Sequence, residues 1–136
     1  MRLIKIGRIE LMLIVCIVSL ITSCKDEEEP STTFYGTMTR ESDNTPASGV
    51  KLIFKGLDVG EGLWPDVEEV SSHSVNVDKS GQFTITIPPH DRIDRFSVDA
   101  QTSTGGSVDI VSGCPDWACE NLAVGTTSEL TLKVSF

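Results

Sequence analysis

From residue 30 onward the chain has no apolar pattern longer than a single strand. The clearest run is Gln82-Phe-Thr-Ile-Thr-Ile87, in which Phe83, Ile85 and Ile87 alternate with Thr84 and Thr86. Successive side chains of a strand point to opposite faces, so this run has one apolar and one polar face. A helix of the same amphipathic kind needs apolar residues three and four apart over several turns, and no such stretch occurs. Runs with period two recur between clusters of Gly, Pro, Asn and Asp, which is the pattern of an all-β domain.

Seven runs can be marked out. Thr32–Thr39 is the first, with Phe34 and Tyr35 adjacent, so either can face inward. A polar loop, Arg40 to Gly49, leads to Gly49–Gly56, where Val50, Leu52 and Phe54 share one face. Leu57 to Glu69 is glycine-rich and acidic, contains Trp64 and Pro65, and is assigned to no element. A third strand lies within Val70–Asp78, centred on His73–Val77. Asp78-Lys79-Ser80-Gly81 suits a type I turn with a left-handed glycine, so the third and fourth strands read as a hairpin. Pro88-Pro89 ends the fourth, because proline removes ladder donors. Asp94–Thr102 is the fifth strand, with Phe96, Val98 and Ala100 on one face, and Ser107–Val111 the sixth. Glu129–Phe136 is the last, with Leu130, Leu132, Val134 and Phe136 aligned. Amphipathic strands must bury their apolar faces against one another, which predicts a seven-stranded β-sandwich over residues 32–136.

The first residues obey other rules. Arg2, Lys5 and Arg8 form a basic start, and Leu11–Ile21 is an uncharged run of 11. A permanent bilayer span needs about 20 residues. A basic flank, a short apolar core and the small residues Thr22 and Ser23 read instead as an export signal. Ile21-Thr22-Ser23-Cys24 resembles the lipobox of bacterial lipoproteins. That resemblance implies a signal peptide over 1–23, a diacylglyceryl group on the Cys24 thiol, and a further acyl chain, such as palmitate, on its new amino group. Two or more chains anchor a protein stably, at roughly 0.8 kcal/mol per buried CH₂. Cys16 lies within the run, lacks the small neighbours and the charged border, and reads as an apolar filler.

Residues 24–31 include Lys25-Asp26-Glu27-Glu28-Glu29-Pro30. Like charges in a row repel and bury nothing, so this segment reads as a flexible acidic tether. It also resembles the acidic export signal that comes after the lipidated cysteine in surface lipoproteins of the Bacteroidetes. The resemblance implies an outer-membrane location facing the cell exterior. Inner-membrane retention in enterobacteria uses an aspartate beside the cysteine, and here Lys25 holds that place.

The formal net charge is −9. Loss of residues 1–23 removes three basic residues and one acidic one, so the mature chain is more acidic still. A chain of this sign lacks the basic surface needed for nucleic acid, and it is not drawn electrostatically to anionic lipid.

A second resemblance rests on the Gly36-containing first strand, on Pro46-Ala47-Ser48-Gly49-Val50-Lys51-Leu52, and on Asp78-Lys79-Ser80-Gly81-Gln82-Phe83 with Pro88 beyond it. Together these are similar to the carboxypeptidase regulatory-like and transthyretin-like sandwich superfamily. The resemblance implies a Greek-key sandwich that stabilises, docks or displays rather than catalyses. The 57–69 segment departs from the compact pattern of that superfamily.

Cys114-Pro-Asp-Trp-Ala-Cys119 is the most chemically suggestive motif. A redox C-x-x-C site has two intervening residues, and this one has four. Zinc needs about four ligands, and only the scattered His73 and His90 are on offer. Beyond an export signal the pair reads as a structural disulfide. Asp91, Asp94, Asp99 and Asp109 lack calcium-loop spacing and read as solvated carboxylates. No serine lies in a nucleophile elbow, and no catalytic residue, metal ligand or cofactor site is nominated. Trp64 and Trp117 lie in loops, where an indole either caps the core or meets a ligand. The expectation is a lipid-anchored, non-catalytic outer-membrane module acting as a binding or accessory subunit of an envelope assembly. The alternative is a surface carbohydrate-binding lipoprotein that uses Trp64 and Trp117.

Overall fold

Seven strands succeed one another in the computed structural model: β1 (Thr32–Arg40), β2 (Lys51–Val59), β3 (Val67–Asn76), β4 (Gln82–Ile87), β5 (Arg95–Gln101), β6 (Ser107–Ser112) and β7 (Thr127–Ser135). The structure describes residues 28–136, so the export signal, Cys24 and the first residues of the tether lie outside the described residues. Among the described residues there is no helix. The all-β class and the seven strands are those read from the sequence.

The strands form one mixed sheet in the order β3-β2-β5-β6-β7-β1-β4. Neighbours are antiparallel except β1 and β7, which run parallel from Thr33↔Thr127 to Arg40↔Val134. The sheet curls almost into a barrel, because its apolar rows must be covered. Phe34 of β1 and Phe54 of β2 stack face to face at 4.7 Å although their strands are not neighbours. Phe96 of β5 meets the Phe34 ring edge-on at 5.6 Å. Around them Met38, Leu52, Ile87, Leu132 and Val134 are fully buried. Each such side chain contributes roughly 1.5–3 kcal/mol by leaving water.

The inward rows obey the alternation. Val50, Leu52 and Phe54, then Phe96, Val98 and Ala100, and then Leu130, Leu132 and Val134 are all buried. In β1 it is Phe34 that faces inward, while Tyr35 is 40% exposed. Phe136 lies beyond the end of β7 and is 63% exposed, so it does not extend the inward row. Its ring instead receives the Arg40 guanidinium, 4.9 Å from the centroid. Gly36 lies between the inward Phe34 and Met38, opposite Leu130 of β7. A Cβ there would collide with the Leu130 carbonyl, so the β1–β7 approach requires glycine.

Two expectations need correction. The Asp78–Gly81 turn forms, but its flanking strands do not pair. β3 is hydrogen-bonded to β2 and β4 to β1. The Asp78 carboxylate accepts from Ser80 N (2.8 Å), Ser80 Oγ (2.7 Å) and Gln82 N (2.9 Å), and Gly81 takes φ 82°. This chemistry fixes a reversal of the chain without fixing which strands pair. Here the turn carries the chain across the core from one edge of the sheet to the other. The second correction concerns residues 57–69. They are not a separate insertion. β2 and β3 extend through both ends of the segment and pair as far as Val59↔Val67, leaving only 60–66 as the connecting loop. A bulge at Gly56/Leu57 shifts the register, which breaks the alternation that would otherwise reveal the strand.

Candidate functional site

The strand registers sort the loops into two ends. β5 starts beside the far part of β2 (Leu57↔Arg95), and β1 starts beside the end of β4 (Thr32↔Ile87) and the start of β7. The tether, the β2–β3 loop and the β4–β5 loop therefore share one end, while the β6–β7 connection runs along the sheet from Ser112, opposite Lys133, back to Thr127 beside Thr33. The β1–β2 loop, the Asp78–Gly81 turn, the β5–β6 turn and Phe136 share the other.

At the tether end the β2–β3 hairpin runs past the start of β5 and presents Leu63 and Trp64 at its tip, 94% and 93% exposed. The tip is closed by Gly60 N donating to Asp66 O at 2.8 Å. The β4–β5 loop braces its base. Asp94 accepts from Val59 N at 2.7 Å, and Arg92 reaches both Asp58 (2.8 Å) and Glu68 (2.7 Å). Glu68 first and Asp58 next hold the Arg92 guanidinium in its charged form even more firmly than usual. On the neighbouring part of the sheet Lys55 lies 2.7 Å from Asp99 and 3.9 Å from Glu69, and Asp99 raises the lysine pKa most.

Trp117, the second indole, is 95% exposed and lies beside residues 110–113 at the end of β6, not at the hairpin tip. It lies inside the Cys114–Cys119 disulfide loop, so that pairing is present in the structure. The chain from Cys119 onward explains the place of the disulfide. β5 and β6 pair only at Ala100↔Val108 and Gln101↔Ser107 and then diverge. Residues 119–122 fill the gap. Cys119 O accepts from Val98 N at 3.0 Å, and Phe96 and Leu122 exchange two backbone hydrogen bonds of 2.9 Å. Cys119 is 3% exposed and Leu122 2%. The disulfide thus steadies a plug that completes β5, with Cys119 held at φ 55°, where few non-glycine residues sit. The sequence pattern does not reveal Leu122; its two bridging hydrogen bonds span too short a stretch to show period two.

Neither tryptophan covers the core, so the capping reading of these indoles fails. The two lie on different parts of the fold, Trp64 at the β2–β3 tip and Trp117 beside the end of β6. Glu61 and Asp66 are exposed in the same loop as Trp64, and Glu120 is exposed shortly after Trp117. His73 is half-buried on β3 opposite Phe54, and His90 lies in the β4–β5 loop, where its Nδ1 accepts from Arg92 N. Asp91, Asp94, Asp99 and Asp109 are spread over the β4–β5 loop, β5 and β6 and are not brought together. Among the described residues no group of three or more His, Cys, Asp or Glu is placed to hold a metal ion. Cys24 lies outside the described residues.

The opposite end has a different character. It collects Arg40, Lys51, Lys79 and Lys133, with Phe136 under Arg40 and Lys133 Nζ donating to Asn44 at 3.1 Å.

No family model matches the chain, and no curated protein matches it. Among solved structures, a 9R-lipoxygenase from Cyanothece PCC8801 is similar with a TM-score of 0.39 and 12% identity, over 94% of this chain and 22% of the lipoxygenase. The chain thus spans about a fifth of that protein, and a likeness at this score carries no argument about fold or chemistry.

Proposed function

We propose that this chain is a lipid-anchored, non-catalytic module of the outer membrane, facing the cell exterior, that serves as a binding or accessory subunit of an envelope assembly. The observation that carries this reading is the two-ended layout. The acidic segment leading from Cys24 enters the domain at one end, beside the start of β1, so the other end and the flanks stay free for a partner. In the finer fold reading the curled sheet is a Greek-key sandwich of transthyretin type. In its favour, the β3-β2-β5 and β6-β7-β1-β4 halves are joined by only two residue pairs and face each other through the phenylalanine stack. A second reading, carbohydrate binding, is favoured by the near-complete exposure of Trp64 and Trp117 in loops.

Crosslinking of the native protein on intact cells, with Cys24→Ser as the unanchored control, tests the first reading. A reproducible outer-membrane partner that is lost in the control supports it. Capture of nothing, with the domain still open to added protease, rejects the subunit role. Quenching of tryptophan fluorescence by glycans would then favour the second reading. A domain that added protease cannot reach rejects the outward orientation.

A further inference from the structure

We infer that β4 is a docking edge for a second copy of this chain. Two β4 strands pair antiparallel about a two-fold axis, with Thr84 of each copy opposite Thr86 of the other, and the sheet runs unbroken from one copy into the next.

β4 is the last strand in the sheet order, and among the described residues it pairs only with β1. The turn before it shows which of its backbone groups are free. Met38 N donates to Gly81 O, so Gly81 faces β1. Gln82 faces the other way, where its N donates to the Asp78 carboxylate and its O accepts from Asp78 N. These directions alternate along a strand, so Phe83, Ile85 and Ile87 turn their backbone groups to β1. Thr84 and Thr86 turn theirs to the open edge. Pro88 beyond them has no N–H to offer.

An open edge is ordinarily guarded by charge, proline or a bulge. β3, at the other edge of the sheet, carries Glu68 and Glu69, and its ladder is interrupted beside Gly56. Gln82–Ile87 has no charged residue and no proline, and its register with β1 is unbroken.

This edge also matches itself. When Thr84 of one copy exchanges two backbone hydrogen bonds with Thr86 of the other, the two-fold axis repeats the exchange, and the N–H and C=O of both threonines are satisfied in each copy. Directly opposed residues share a face, so Ile85 meets Ile85 and Phe83 meets Ile87 on the inward side. Phe83 and Ile87 are buried, while Ile85 is only partly covered, and a second Ile85 covers the rest. On the outward side threonine meets threonine. Thr33 and Thr86 already do so across β1 and β4, with hydroxyls 3.1 Å apart.

The tethers permit this arrangement. Thr32 is level with Ile87. With about 3.4 Å per residue and about 4.8 Å between strands, the two copies of Thr32 are roughly 20 Å apart in such a pair. An extended segment from Cys24 to Thr32 reaches roughly 30 Å, so both lipids fit one membrane. Two short strands bury less than interfaces that persist in dilute solution, and tethering to one surface raises the effective concentration that this contact needs.

Thr84 and Thr86 are exposed, so cysteines there leave the core intact. Full lipidated protein with Thr84→Cys, with Thr86→Cys, and an equal mixture of the two are each placed in phosphatidylcholine vesicles and oxidised with copper phenanthroline. Opposed residues of a hydrogen-bonded pair are about 5.5 Å apart at Cα, within disulfide reach, whereas Thr84 and its own counterpart are two residues out of line and beyond it. The mixture should give several-fold more disulfide-linked dimer than either variant alone. Equal yields, or no dimer in any of the three, overturn the inference. Ile85→Cys opposes its own counterpart and reads the effect of charge. Adding Thr84→Lys with Thr86→Lys should cut its dimer about ten-fold, and adding Thr84→Lys with Thr86→Glu should restore it. A dimer indifferent to these charges is collisional and overturns the inference. Flotation of the same vesicles reports the anchor separately. Protein that does not float rejects the anchor, while the crosslinks still decide the edge pairing.

Discussion

The Phe34 ring lies flat on the Phe54 ring, 4.7 Å between centroids and 8° from parallel, across the core between two strands that share no ladder. This stack is the tightest aromatic link between the two sides of the curled sheet. Phe54→Ala removes it and opens a cavity against Phe83 as well, whose ring is 6.5 Å away. The expected loss is about 3–5 kcal/mol. Phe54→Leu should cost clearly less. Urea unfolding of the three proteins gives the comparison.

The Cys114–Cys119 disulfide closes a short loop, so its effect on the unfolded chain is about 2 kcal/mol. A Cys114→Ser, Cys119→Ser protein should melt lower by on the order of 8 °C. Its amide exchange should accelerate first at Val98 and Leu122, which the plug protects. Uniform acceleration across all strands would contradict a local role for the disulfide.

Asp78 lies below the ordinary aspartate pKa, chiefly because Ser80 Oγ donates to it and then because Gln82 N does. A carboxylate depressed in the folded state stabilises fully above its unfolded pKa and loses that contribution as pH falls through the folded value. Native protein should therefore weaken below about pH 4 relative to its own neutral stability. Asp78→Asn should be less stable at pH 7, and the gap should narrow on acidification. Denaturant midpoints measured from pH 7 to pH 2 check the sign.

Gly36→Ala places a methyl on the Leu130 carbonyl, and a methyl has no torsion by which to turn aside. The expected cost exceeds about 1 kcal/mol. Gly62, at the hairpin tip, has open space where its Cβ would be, so Gly62→Ala should cost less despite its positive φ. Equal losses in the two variants would show that backbone conformation, and not the β1–β7 approach, sets the requirement at Gly36.

Arg92 bridges Asp58 and Glu68 from outside the hairpin, and its side chain is half exposed. Such pairs contribute at most about 1 kcal/mol. Arg92→Ala should leave the melting temperature nearly unchanged. It should nevertheless speed limited proteolysis within residues 60–66, because the β4–β5 loop then braces the hairpin through Asp94 alone. Cleavage at an unchanged rate would assign the bracing to the Val59–Asp94 hydrogen bond.

Strand-level features are readable wherever alternation is unbroken. Gln82–Ile87 matches β4 in both bounds, and the inward rows of β2, β5 and β7 keep to period two. Reading fails where a local irregularity hides the period. The bulge beside Gly56 conceals the far half of the β2–β3 hairpin. Partner choice is also hidden. The residues Asp78 to Gly81 specify a reversal, while the pairing of β3 with β2 and of β4 with β1 depends on apolar rows remote in sequence. At the candidate site both tryptophans and the disulfide pair stand out by type and spacing. Their separation does not, since Trp64 at the hairpin tip and Trp117 beside the end of β6 are placed only by the strand registers.

The parallel pairing of β1 with β7 joins the first strand to the last. Until β7 is available, β1 has only β4 to hold it, and the rows of Phe34 and Met38 have no neighbour on their other side. Closure of this domain is therefore a late event dominated by contacts between distant parts of the chain, which makes for slow folding. A polypeptide threaded N-terminus first through a narrow conduit benefits from that order. It stays loose while it passes and locks only once its final strand has emerged.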